Sequence, residues 1–268
     1  MTKKTGIIVV VLILVAGVAG VLWRKGPAPA ETISLAIDPS ASTTASSSTA
    51  PYKVEYYPIP QDAENTVSAK APSLSRKVTY SPALSTEVKR ILGENIADLR
   101  GALSKNALDF GSWMNLAIQY KTASDYEGAR EIWEYISQIY PEDAVALHNL
   151  GDLYHRFLND FAQAESYYKS AIGRDGTQGV NYLALHDLYR YLYKQDTTAA
   201  ADILKNGAER VSGNQAIDLY STLGSYYQDK NDTANAILYY TKARDGAEKA
   251  GNTALTAEFD ATLSGLKK

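Results

Sequence analysis

One set of positions recurs through residues 110–246 and limits that stretch to a stack of similar helical units. Trp113, Leu147, Tyr182 and Tyr220 stand 34, 35 and 38 residues apart. Three residues after each comes a leucine: Leu116, Leu150, Leu185 and Leu223. The next residue is small in three of the four cases (Ala117, Gly151, Gly224, with His186 the exception), and three further on there is always a tyrosine: Tyr120, Tyr154, Tyr189 and Tyr227. Downstream, Ala129, Ala164, Ala200 and Ala236 recur, each followed four residues later by a large side chain: Trp133, Tyr168, Leu204 and Tyr240.

Offsets of three, four and seven place the large residues on one face of a helix. A small residue beside them lets a second helix come close, and the alanine set marks that second helix. Turn signals such as Ala123-Ser124-Asp125 and Lys230-Asn231-Asp232 separate the two. Each unit is therefore an antiparallel helix pair that cannot bury its apolar face alone. Stacking the pairs supplies the continuous core.

This code resembles the tetratricopeptide repeat. The first unit matches most fully, with Trp113-x-x-Leu116-Ala117-x-x-Tyr120 followed by Ala129, Trp133 and Pro141. The second carries one extra residue before Ala164 and has Gly176 where the family prefers proline. The third departs most, with His186 at the small position and a turn before Ala200 two residues longer than in the first unit. The fourth fits well through Ala243. The resemblance implies an all-α, right-handed superhelical solenoid with repeats near 110–143, 144–178, 179–216 and 217–252. Apolar spacing predicts a capping helix within 83–109, from Leu84 through Leu103, with Ser85 as its N-cap. A closing helix is expected over 253–268, with Thr253 as cap and Leu255, Phe259, Leu263 and Leu266 facing inward.

The N-terminal part is of another kind. Residues 6–23 carry no charge, Lys3 and Lys4 precede them, and Arg24 and Lys25 follow. A bilayer-crossing helix needs roughly 20 apolar residues, so this run predicts an uncleaved single-pass anchor behind a flank of residues 1–5. The competing reading is a signal peptide cleaved near Ala28-Pro29-Ala30; the length of the run and its basic flank favour the anchor. Basic residues balance across the span, and the α-amino group tips the N-terminus to the cytoplasm. That puts the repeats outside it, in a bacterial envelope, and the whole chain resembles membrane-anchored repeat proteins of bacteria. Residues 24–82, rich in Pro, Ser, Thr and Ala, predict a disordered linker spanning about 40 Å.

For tetratricopeptide repeats the resemblance implies a protein or peptide ligand in the concave wall made by the first helix of each pair. The residues expected on that wall are Asn115, Ile118, His148, Asn149, Asp152, His155, Arg156, Asp187, Arg190, Tyr191 and Ser225. Their mixed polar and aromatic character suits a peptide of alternating charge. The lysine and asparagine clamp that some co-chaperone repeats close on a C-terminal carboxylate is not expected, since Met114 and Ile118 take two of its places. His148, Asp152 and His155 share one helical face and form a candidate zinc set that lacks a fourth ligand. His186 is expected to be buried and hydrogen-bonded.

Other classes are excluded or unsupported. A net charge of −3 and no basic stripe argue against nucleic acid. The absence of cysteine removes disulfides, thiolate metal sites and cysteine nucleophiles. Neither a phosphate-binding G-x-x-x-x-G-K loop, nor H-E-x-x-H, nor G-x-S-x-G occurs, so no enzyme activity and no cofactor are expected. Two readings remain beside a metal-dependent activity at the His148 set: a membrane-tethered scaffold that binds partners, and a homo-oligomeric structural component of an envelope or secretion assembly.

Overall fold

The computed structural model describes residues 69–195 and 197–268. Ten α-helices and no strand lie among them: α1 (Thr86–Lys105), α2 (Phe110–Ala123), α3 (Tyr126–Ile139), α4 (Val145–Leu153), α5 (Phe161–Arg174), α6 (Gly179–Tyr191), α7 (Ala199–Arg210), α8 (Gly213–Asp229), α9 (Thr233–Lys249) and α10 (Thr253–Leu266). Each helix packs on the next in sequence, and α2–α9 make four consecutive pairs.

A repeated device turns the chain inside three of those pairs. Ser124, Asn159 and Asn231 take left-handed backbone angles, with φ of 67°, 55° and 58°. The aspartate after each, Asp125, Asp160 or Asp232, then caps the second helix by accepting from the N–H of Gly128, Gln163 or Asn235, each at 3.1 Å. The backbone N–H of that aspartate returns to the repeat tyrosine: Asp125 to the carbonyl of Tyr120, Asp160 to Tyr154, Asp232 to Tyr227. The second pair closes over six residues where the others close over five. Its extra residue is taken up by a π-helical turn, Tyr154–Leu158, at the end of α4.

The third pair lacks this device. Its turn is longer, Lys194 holds the left-handed angle with φ of 62°, and Thr198 makes no side-chain cap to α7. The turn is fixed instead by Lys194, whose ammonium reaches the buried Glu165 carboxylate of α5 at 2.7 and 2.8 Å. Tyr189 donates to the same carboxylate at 2.5 Å.

Most of the recurrent positions form the core, while Tyr154, Tyr220 and Tyr227 are half-buried at its edge. Trp113, Leu116, Ala117, Tyr120, Ala129, Trp133, Leu147, Leu150, Ala164, Tyr168, Tyr182, Leu185, Ala200, Leu204, Leu223, Ala236 and Tyr240 are all buried. In the second and fourth pairs the glycine of the first helix accepts the tyrosine ring of the second, Gly151 against Tyr168 and Gly224 against Tyr240. The third pair inverts the arrangement. His186 occupies the small position, and the close ring contact passes to Tyr182 of α6 against Gly207 of α7. The register over His186 is thus accommodated by moving the glycine to the other helix.

At the N-terminal end Ser85 caps α1, accepting from Val88 N–H at 3.2 Å, and Leu92, Ile96 and Leu103 are buried. At the C-terminal end Asn252, not Thr253, is the cap of α10, accepting from Leu255 N–H at 3.1 Å; Thr253 is the first helical residue. Phe259 and Leu263 are buried against α9.

The boundary of the linker also moves. Residues 69–82, expected to belong to it, form no helix or strand yet lie against the helices, with Ala69, Leu74 and Val78 packed on the first core cluster. The anchor expected at 6–23, its flank, and the linker up to residue 68 fall outside the described residues. No helix among the described residues is long and apolar enough to cross a membrane.

Candidate functional site

The first helices of the four pairs, α2, α4, α6 and α8, carry a charged residue one or two positions after each repeat tyrosine: Lys121, Arg156, Arg190 and Asp229. Packing brings these together with two acidic residues. Lys121 reaches Asp152 at 3.5 Å, and Asp152 accepts from Arg156 Nε at 2.5 Å. Arg156 acts electrostatically on Asp187 of α6, as does Arg190. Arg190 in turn pairs with Asp229 of α8. The signs alternate along the row, so each charge stabilises its neighbours and the row crosses all four pairs.

Aromatic rings lie along the same row. Lys121 Nζ sits 5.8 Å from the centroids of both Trp133 and Phe157, and the Arg190 guanidinium lies 4.9 Å from Tyr191 and 5.7 Å from Tyr226. Such contacts orient the cations; Trp133 and Tyr226 are buried beneath them, while Phe157 and Tyr191 are exposed. Ile118 and Tyr191 are 39% and 50% exposed, so apolar surface borders the charges at two places.

Asp187 differs from the other members. It forms no ion pair or hydrogen bond among the described residues, and it is half-buried. Burial raises its carboxyl above the ordinary pKa, even though Arg156 and Arg190 both pull the other way. A desolvated carboxylate with no donor is an open acceptor. It can take an N–H from an incoming chain, or an ammonium or guanidinium.

The remaining expected residues divide. Asn115 is exposed and Asn149 half-buried. Ser225 is half-buried beside the Tyr240 hydroxyl. Lys121, Phe157, Tyr226 and Asp229 were not expected on this face; a charge one or two positions after the repeat tyrosine was the signal that could have found Lys121 and Asp229, while Phe157 and Tyr226 had no such mark.

The histidine set is rearranged. His148 Nδ1 and Asn181 Oδ1 are 2.8 Å apart, and His155 is 5% exposed with Nδ1 3.3 Å from the Tyr168 hydroxyl. Both imidazoles pack on the Tyr168 ring, at centroid distances of 5.8 and 6.1 Å, while Asp152 turns to Lys121 and Arg156. They share a side of α4 as the spacing predicts, but that side meets α5. No group of three histidine or acidic side chains is placed to hold a metal ion among the described residues, so the candidate zinc set does not assemble there. Burial pushes both imidazoles below their ordinary pKa, which favours the neutral form.

His186 is fully buried, as expected. Its Nδ1 lies 2.7 Å from the Ala200 carbonyl, and its Nε2 has no partner among the described residues. Burial lowers its pKa to about 4.

A tetratricopeptide-repeat family model matches residues 144–178 and 217–243, within the second and fourth helix pairs. No curated protein sequence matches the chain. Two solved structures titled as crystal structures of MamA and MamA protein are similar, at 19% and 18% identity. They cover 63% and 58% of this chain and 98% and 90% of their own, with TM-scores of 0.46 and 0.40.

Proposed function

Because this chain is built on tetratricopeptide repeats, we propose that it is a non-catalytic scaffold that holds an extended segment of a partner protein along the face of α2, α4, α6 and α8. In this reading residues 6–23 tether it to a membrane, the N-terminus is cytoplasmic, and the repeats work on the extracytoplasmic side.

The observation that carries the reading is Asp187, an acceptor with no donor among the described residues, in the middle of a row whose other charges are paired with one another. The cost of leaving a half-buried carboxylate unpaired is met when a ligand supplies the donor. The segment that suits the face presents a basic side chain or backbone N–H at Asp187 and apolar groups beside Ile118 and Tyr191. Arg156 and Arg190 favour an acidic group on either side. Binding of this kind draws on hydrogen bonds and charge complementarity more than on area.

Proximity crosslinking in native cells tests it, comparing the natural chain with Arg156→Ala/Asp187→Ala/Arg190→Glu. One or two proteins captured by the natural chain and lost in the variant support the scaffold and identify its partner. Unchanged capture, or capture of the chain itself alone, replaces this reading with self-association.

A further inference from the structure

A different contact, between the segment before α1 and the helices, is made at the turn between α2 and α3. Residues 69–82 pass over it without helix or strand, through a turn at Leu74-Ser75 closed by the Arg76 N–H on the Ser73 carbonyl at 3.2 Å. From Pro72 to Tyr80 alternate residues turn in: Pro72, Leu74, Arg76, Val78 and Tyr80 are half-buried, and Ser73, Ser75, Lys77 and Thr79 are exposed. Arg76 is the centre of the contact. Its Nη1 donates to Asp125 Oδ2 at 2.5 Å, its Nε approaches Glu131 at 3.4 Å, and its guanidinium lies 5.7 Å from the Tyr120 ring centroid. A Cβ on Gly128 would come within 2.7 Å of Nη1, so bare backbone makes the room the guanidinium uses.

The pocket also reads the backbone of the segment. Asp125 Oδ2 accepts a second bond from Thr79 N–H at 2.9 Å, and Arg100 of α1 donates to the Arg76 carbonyl. Ser81 N–H donates to the Ala123 carbonyl at 2.9 Å. Leu74 and Val78, two residues to either side of the arginine, pack on the core. Asp125 is only 3% exposed and directs one oxygen to its own helix and the other wholly to this segment. Backbone bonds that ignore sequence, side-chain pockets at alternate positions and one buried charge pair are how proteins read extended peptides.

We propose that the Asp125 pocket is a peptide-recognition site for a non-helical segment that enters through a turn and carries an arginine flanked two residues away by aliphatic side chains, and that residues 74–78 are its resident, exchangeable ligand. Covalent attachment gives the resident segment an effective concentration in the millimolar range, so the site is closed to weaker competitors. It opens to a segment of the same pattern that is presented at high local concentration. The site does not depend on the α2, α4, α6 and α8 face, and either can fail without the other.

The test uses the full chain in detergent micelles and a labelled peptide of residues 69–82. Amide exchange at Thr79 and Ser81 reports whether the resident segment is seated. In the natural chain both amides are protected, and excess peptide speeds their exchange while the Arg76→Ala peptide does not. In an Arg76→Ala/Val78→Ser chain the two amides exchange freely and the helical circular dichroism is kept. The natural peptide then binds that chain in trans, about tenfold more tightly than its Arg76→Ala form. Retained protection in that variant overturns the proposal. So does failure of the natural peptide to bind the freed site, or to outdo its Arg76→Ala form on the unaltered chain.

Discussion

The ring of Tyr168 occupies the place where a side chain on Gly151 would begin: a Cβ there would lie 2.5 Å from its Cδ1. This contact sets the spacing of α4 and α5 in the second pair. Gly151→Ala forces the ring or the helix to shift and should destabilise the fold by about 1–3 kcal/mol. Gly101 in α1 is the control, with nothing within 4 Å of its Cβ position. Gly101→Ala should gain about 0.5–1 kcal/mol from helix propensity. Chemical denaturation of the two variants should move the midpoint in opposite directions.

Acid should weaken the protein in a window set by its histidines. His186 is displaced to about 4 by burial, partly offset by its bond to Ala200 and reinforced by Arg190. Its orphan Nε2 gains nothing from a proton. A pKa that is lower folded than unfolded means the unfolded chain binds the extra proton. Stability is therefore fully present above about pH 6.5 and falls as pH drops towards 4, by about 3 kcal/mol for this one residue. His148 and His155 shift the same way. Denaturation midpoints from pH 7.5 to 4.5 should fall steadily, and His186→Gln should flatten the slope without abolishing it.

Asp187 should oppose stability at neutral pH. Its pKa is raised by burial, so the folded state favours the protonated form, and its stabilising share is lost as pH rises through the folded value. Asp187→Asn should make the protein more stable at pH 7 by about 0.5 kcal/mol, allowing for the solvent it still meets. The same substitution should weaken partner capture. A gain in stability with a loss of capture marks a residue kept for binding; a loss of stability would show that Asp187 has a structural partner.

Asp125 behaves in the opposite sense. Burial alone would raise its pKa, but Arg76 and the N–H groups of Thr79 and Gly128 together hold it below the ordinary carboxylate range. Its contribution is present above about pH 4, where the unfolded carboxyl ionises, and is lost as pH falls through the lower folded value. Protection factors at Thr79 and Ser81 should be level near neutrality and decline in acid. Asp125→Asn should lower them at pH 7, by about 1–3 kcal/mol, because the half-buried Arg76 loses the nearer of its two carboxylates and keeps only Glu131. The acid decline should then be shallower than in the natural chain.

Much of the fold is legible because the repeat code is local. Trp113, Leu116, Tyr120, Ala129 and Trp133 lie within 21 residues, and helical spacing alone puts them on packing faces. The Ser-Asp and Asn-Asp turns are equally local, since a left-handed residue and its capping aspartate adjoin. Even the π-turn of α4 has a trace, the extra residue before Ala164. The candidate face of α2, α4, α6 and α8 was harder to read. Spacing puts His148 and His155 on one side of α4, but it cannot say that α5 covers that side with Tyr168.

What the sequence by itself determined is the set of helices, their order and their inward faces, because these follow from contacts between residues a few positions apart. Tertiary structure alone decided where the charges and the N-terminal segment went. Arg76 and Asp125 are 49 residues apart, and nothing in the Pro- and Ser-rich run before α1 announces that its alternate side chains have a pocket waiting. Arg190 and Asp229 meet across 39 residues, and Asp187 makes no ion pair among the described residues, where Arg156 pairs with Asp152 and Arg190 with Asp229. Pairing of this kind depends on which helix stacks on which and at what spacing, and that is fixed by rings such as Tyr168 and Tyr240 closing on glycines of the neighbouring helix.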